Sequence, residues 1–431
     1  MRWPFRINAL SALAIVLLAF PLVASASHST DPRTPNMHPL GHIEEPASLL
    51  NPAVGNPDVH TDIAFWGDLA IQGNWDGFNI RDISSPGNPK QISRTFCDGN
   101  QGDVVVWDDI VVRSWNSNAP GTTFCDGQPV PAGFEGLHVF DISDLDDPVL
   151  VGSVDLACGS HTASGVPDLA NNRLLIYNSS SSGACPGIDI VEVPLDDPAS
   201  SSLLRFEPAG RSCHDTGVIL GDALLATCAG GNGFTTWSLD PADGGSLVDP
   251  IQVNSTVVPT VTIGHSAAFT WDGEVLIFGH EPGGGVGPEC EATDDPLKRT
   301  YFFYKPETGT LLGTWTLPRT QSSTENCTLH NLNVVPLRNG RYVLTHGSYQ
   351  SGTSVVDFTD LANAVELGWS DPPPVVPPDL AGVWSSYWYN NFIYETNITE
   401  GLNIFRFSGH ETGGAMKLDH LNPQTQEFTI G

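Results

Sequence analysis

Residues 136–152 read Gly136-Leu-His-Val-Phe-Asp-Ile-Ser-Asp-Leu-Asp-Asp-Pro-Val-Leu-Val-Gly. β-Branched and aromatic side chains fill the first half, a Ser-Asp-rich turn closed by Pro148 follows, and a second apolar run begins at Val149, the pattern of two strands joined by a turn. The Gly-led strand recurs at Gly77-Phe-Asn-Ile-Arg-Asp-Ile-Ser, Gly187-Ile-Asp-Ile-Val-Glu-Val-Pro, Gly233-Phe-Thr-Thr-Trp-Ser-Leu-Asp, Gly352-Thr-Ser-Val-Val-Asp-Phe-Thr and Gly401-Leu-Asn-Ile-Phe-Arg-Phe-Ser. A weaker copy at Arg299-Thr-Tyr-Phe-Phe-Tyr-Lys-Pro lacks both the Gly and the Asp. The starts lie about 46 to 66 residues apart, close to the ~40–50 residues of a four-stranded propeller blade. Another apolar run precedes each copy (Leu69-Ala-Ile, Leu174-Leu-Ile-Tyr, Val275-Leu-Ile-Phe), a small-residue segment precedes that, and a variable strand follows. Seven units of four strands predict an all-β, seven-bladed β-propeller of antiparallel blades over residues 60–421, in which ring closure protects the sheet edges.

The segment Gly136-Leu-His-Val-Phe-Asp-Ile-Ser-Asp-Leu-Asp-Asp-Pro-Val-Leu-Val-Gly resembles the repeat of the LVIVD-repeat family of exported or surface proteins of bacteria and archaea. That resemblance implies a β-propeller and supplies no activity. Residues 27–59 read as an N-terminal extended segment, and the Pro-rich run at 371–378 as a stiff connector between the sixth and seventh blades. Three segments are candidates for the outer strand of the last blade: residues 415–421, the 422–431 tail around Phe428, or part of the N-terminal segment.

The compartment follows from the start of the chain and from its cysteines. Residues 1–26 read as an export signal: Arg2 and Arg6, an apolar stretch from Leu10 to Val23, then Ala24-Ser25-Ala26. The stretch falls short of the ~20 residues a bilayer crossing needs, and nothing later is apolar enough to span one. All eight Cys follow the signal, and spacing pairs neighbours as Cys97–Cys125, Cys158–Cys185, Cys213–Cys228 and Cys290–Cys327, although sequence does not fix connectivity. A secreted, periplasmic or cell-surface protein is expected. With 18 Lys+Arg against 49 Asp+Glu and a net charge of −31, a nucleic-acid partner is excluded for want of a basic face. Such acidity matches proteins of salty habitats and favours a monomer at low salt.

Histidine placement carries the functional signal. His161, His214, His265 and His330 each sit just ahead of a blade's first strand, His60 does so in the first blade, and Gln101 and Trp384 hold the equivalent places in the second and seventh. First strands line the channel of a propeller, so these residues should ring one mouth. His280 and His346 end second strands, which return to the same face, with Glu281 and Glu395 at comparable places. The four leading histidines, with His60, His280 and His346 as further candidates, form a prospective Cu, Zn or Fe site, and Glu281 or Glu395 a ligand or general base. A propeller with central histidines is similar in plan to the selenium-binding protein (methanethiol oxidase) family. The bland reading is that such histidines only hydrogen-bond turns between blades. Two functions therefore stand open: an extracellular scaffold binding a protein, glycan or small ligand at the His-rich mouth, and a metal-dependent oxidase or hydrolase. The Gly-rich loop after His280 lacks the Lys of a phosphate-binding loop, and Asp141-Ile-Ser-Asp-Leu-Asp-Asp lacks the Gly and Glu of an EF-hand.

Overall fold

The computed structural model describes residues 30–44, 59–180, 182–375 and 380–430; the expected export signal at 1–26 and connector residues 376–378 lie outside them. Among the described residues, seven sheets, each built on four antiparallel strands, form seven blades, and two of them gain a short fifth strand on the inner side. Their inner strands are His60–Trp66, Gln101–Trp107, Thr162–Asp168, Asp215–Ile219, Gly264–Phe269, Leu332–Val334 and Val383–Tyr389.

Both faces of a blade are covered, so successive residues of one strand serve different neighbours. Val104 and Val106 pack with Ala64, Ile71 and Phe78 of blade one, while Val105 and Trp107 pack with Ala163, Leu174 and Ile176 of blade three. Seven apolar clusters fill the seven spaces between blades, the last joining Tyr387, Tyr394 and Ile404 of blade seven to Ile63 and Phe65 of blade one. The ring is closed.

Of the segments that could complete blade seven, the N-terminal one does so: Met37–Ile43 lies antiparallel to Gly401–Phe407 as its outermost strand. Just before it, Thr34 N donates to Trp369 O at 3.0 Å and Asn36 Nδ2 to Leu367 O at 3.0 Å, so the same segment ties down the outer strand of blade six. The chain's other end closes the channel from below. His420–Leu421 pairs with the far end of blade one's inner strand, and Thr425–Gln426 runs parallel to that of blade four. Between them Asn422 exchanges two 2.9 Å hydrogen bonds with the Val106 backbone, and Thr425 Oγ1 donates to Gly165 O at 2.8 Å.

All four neighbouring cysteine pairs are disulfide-bonded, closing 28, 27, 15 and 37 residues of sequence separation. Loops of this size are worth about 3 to 4 kcal/mol each through the unfolded chain, and the bonds suggest an oxidising environment. Among the described residues no helix is long and apolar enough to cross a membrane.

Candidate metal centre

Each functional side chain owes its place to the start of an inner strand. In blades three, four and six the histidine amide is held by the end of the second strand: His161 N to Ser179 O at 2.7 Å, His214 N to Ala229 O at 2.7 Å, His330 N to Gly347 O at 3.0 Å. In blade five Gly264 pairs with His280 and Ala267 with Phe278, so His265 and Ser266 together oppose Gly279. This bulge turns the imidazole into the channel. Similar irregularities at Trp384 and at Gly102-Asp103 open blades seven and two.

The four imidazoles form an arc across blades three to six, with ring centres 4.1 Å (His161–His214), 3.9 Å (His214–His265) and 4.3 Å (His265–His330) apart. They floor a cavity of about 470 Å³ whose walls include Trp75, Gln101, Glu281, Tyr349 and Trp384. Their tautomers follow from their partners. His330 Nδ1 lies 2.5 Å from Trp384 O, a carbonyl that can only accept, so Nδ1 carries the hydrogen. Ser266 Oγ spends its proton on His330 O at 2.8 Å and must therefore accept from His265 Nδ1 at 2.9 Å. His214 Nδ1 faces Asp215 Oδ1 at 3.2 Å, the carboxylate–histidine arrangement that raises ligand basicity. The lone pairs of His330 and His265 are therefore left on Nε2, where they face the Glu281 carboxylate at 3.5 and 3.9 Å. His161 adds a buried Nδ1 that has no hydrogen-bond partner.

Glu281 is oriented by Tyr349, whose hydroxyl donates to Oε1 at 2.6 Å. Burial, partly offset by that bond, pushes the Glu281 carboxyl up to about 7. Tyr349 has φ of +49°, a strained conformation for a bulky residue, and is held there by a reciprocal pair of 2.9 Å hydrogen bonds with Val383. A side chain at Gly285 would place a Cβ 2.3 Å from the Tyr349 hydroxyl and 2.7 Å from Glu281 Oε1. Tyr349→Phe should leave the fold intact while weakening metal binding about tenfold or more. Competition with a chromophoric chelator measures it, and an unchanged affinity and cobalt spectrum would remove Tyr349 from the site.

Other candidates fall elsewhere. His60 does not line the cavity; it is buried in blade one, where burial first and then Arg81 and Arg94 hold its imidazole well below the ordinary range. His280 turns away and hydrogen-bonds Leu297 O through Nε2 at 2.7 Å. His346 lies edge-on to Tyr301 and Trp315, both at 5.2 Å, between blades five and six. Glu395 binds Thr353 Oγ1 at 2.5 Å and Asn403 Nδ2 at 3.0 Å, outside the cavity. Second strands do reach the same face, but their side chains point between blades.

Sequence reasoning missed three carboxylates. Asp215 completes a set with His214 and His265, as Glu281 does with His265 and His330. Deeper, Asp62 accepts from Tyr387 Oη at 2.9 Å and Gln424 Nε2 at 2.7 Å, and Asp103 accepts from Ala163 N at 2.7 Å. Burial raises Asp215 to about 7 and Asp62 to about 6; Asp103 is raised well above the usual range by burial and then by Asp62. No Lys or Arg lines either this chamber or the cavity above it, among the described residues. A third grouping, Cys97, Cys125 and His138, is a disulfide beside an imidazole and offers no thiolate.

The chain matches no known protein-family pattern, nor any curated protein. Among solved structures it is similar to a chain of the mitotic checkpoint complex, at 11% identity and TM-score 0.51 over 95% of this chain and 99% of that one. The WD40 β-propeller domain of Doa1 gives 11% identity and TM-score 0.48 over 87% and 98% of the two chains. The computationally designed Ika8 protein gives 12% and 0.46 over 86% and 100%. These likenesses concern the propeller fold alone.

Proposed function

We propose that this is an exported metalloprotein whose propeller holds one transition-metal ion at the channel mouth and binds a small molecule beside it. The observation carrying this reading is the set of fixed tautomers: His265 and His330, with His214 when Asp215 is ionised, present Nε2 lone pairs toward one cavity that Glu281 also lines. Hydrogen bonds at the remote nitrogen are the usual support of imidazole ligands, and an imidazole–carboxylate donor set suits Zn, Cu or Fe. A bound ion would supply Lewis-acid or one-electron chemistry. Glu281, 3.5 Å from His330 Nε2 and raised toward neutrality, can take up or release a proton there. The activity class we infer is a metal-dependent oxidase or hydrolase, secreted, periplasmic or surface-held, with LVIVD-repeat membership resting on the repeat sequence.

The test is element analysis of the mature chain after exposure to Zn, Cu or Fe(II) and exhaustive dialysis. About one ion per chain is expected, lost in a His265→Ala/His330→Ala variant whose far-ultraviolet circular dichroism and thiol count are unchanged. A folded wild-type chain that retains no metal overturns the reading. It would leave a scaffold whose rim, with Val286 exposed at 68%, offers an apolar contact.

A further inference from the structure

The geometry points to a ligand of this cavity that has a flat apolar body and an uncharged or cationic head, with anions rejected. The inference rests on the proposed small-molecule site, and its charge argument does not require the ion. Four carboxylates lie in the cavity or just beneath it: Glu281, Asp215, Asp62 and Asp103. No guanidinium or ammonium opposes them in either lining among the described residues. The segments at 45–58 and 376–379 contain no Lys or Arg in sequence. With a net charge of −31, the approach to the mouth is unfavourable to anions as well.

An anion entering such a site exchanges hydration for carboxylate neighbours and finds no charged donor, which is how specificity by exclusion works. A divalent ion would offset at most two of the four acids once they are ionised. A cation gains from the same field, and an uncharged molecule is indifferent to it.

The walls select for shape. Trp384 stands edge-on to His330 at 4.9 Å and 77°, and Tyr349 lies 4.6 Å from the same imidazole and 6.3 Å from Trp384, so the three rings form one aromatic corner. Trp75, Ile263 and Leu380 extend this apolar lining toward the mouth. Aromatic walls favour a ring or flat hydrocarbon body and add cation–π attraction for a cationic head. At about 470 Å³ the space falls in the range of small-molecule pockets.

Three near-isosteric phenols separate the charge terms: tyramine (cation), tyrosol (neutral) and 4-hydroxyphenylacetate (anion). Calorimetric titration at low salt and mildly alkaline pH, where the cavity carboxylates carry their charge, into the metal-loaded and the metal-free chain should show tyramine binding tightest and the anion at least about tenfold weaker than tyrosol. Half-molar salt should weaken tyramine several-fold and leave tyrosol almost unchanged. Trp384→Ala should weaken tyramine and tyrosol by about tenfold. Equal or tighter binding of the anion overturns the inference, as does failure of all three to bind a chain that holds its metal. Retention of the charge order by a chain that binds no metal would instead remove the metal reading and keep this one.

Discussion

Removing residues 30–43 should open the propeller and leave a chain that aggregates or melts at temperatures where the intact protein is native. The expectation follows from what Met37–Ile43 joins. It caps the strand Gly401–Phe407 through six residue pairs. Met37, 1% exposed, packs in one cluster with Trp388, Phe405 and Phe407 of blade seven and with Val335 and Val355 of blade six. Gly41 lies so close to blade one that a Cβ there would come within 2.2 Å of Pro86 O and 2.9 Å of Pro89 Cδ. One short segment thus spans three blades, and its loss exposes an unpaired strand edge as well as apolar surface. Met37→Ala, which keeps the backbone ladder, should cost about 2 to 5 kcal/mol in urea unfolding, and Gly41→Val should destabilise through the clash alone. Size-exclusion chromatography and calorimetry decide it: a chain lacking residues 30–43 that stays monodisperse and melts with the wild type would show that the N-terminal strand is dispensable.

That strand was also the part of the fold hardest to read. The blades are legible because each must bury both faces, which forces the same alternation into seven units. Met37-His-Pro-Leu-Gly-His-Ile carries no such pattern, because only Met37 and Gly41 face inward and the rest of the strand is partly open. Its role is set by what the seventh blade lacks, a property of the ring rather than of the segment.

The site divides along the same line. A histidine at the start of a first strand is in register with its counterparts in other blades, so His161, His214, His265 and His330 could be aligned from sequence alone. His60 shares the register in sequence but not in space, since blade one begins with a bulge in which Thr61 and Asp62 oppose Gly73. The bulge aims Asp62, not His60, at the channel chamber. In blade two Gly102 and Asp103 oppose Ser114 in the same manner, and Asp103 is the residue delivered. The inserted residue brings Asp62 and Asp103 to the lower chamber, and among 49 acidic residues nothing in sequence marks these two. The result is a tier of imidazoles above a tier of carboxylates.

The buried histidines outside the cavity should oppose folding as pH falls. His138 stacks on Phe134 with ring centres 4.7 Å apart and lies 5.5 Å from Trp115; burial first, and then Arg113, push its imidazole down to about 3. His346, enclosed by Tyr301 and Trp315, is likewise pushed down to about 3, chiefly by burial. In the unfolded chain both return to the ordinary value of 6.5. Between those limits the unfolded state binds protons that the native state refuses, so the stability these groups contribute is complete above pH 6.5 and drains away as pH falls toward 3. Each proton is worth about 1.4 kcal/mol per pH unit, so by pH 4.5 the pair removes about 5 kcal/mol, a large share of a typical folding free energy. Buried acids act in the opposite sense: Asp189, raised by burial to about 6, takes up its proton in the native state first and is stabilising as pH falls through that value. Comparing variants isolates the histidines from this background. His138→Leu and His346→Leu can each lower absolute stability by disturbing packing, but each should flatten the dependence of unfolding free energy on pH between 6.5 and 4.5 by about one proton. Urea titrations across that range supply the slopes, and variant curves running parallel to wild type would mean that both imidazoles are already charged in the folded protein.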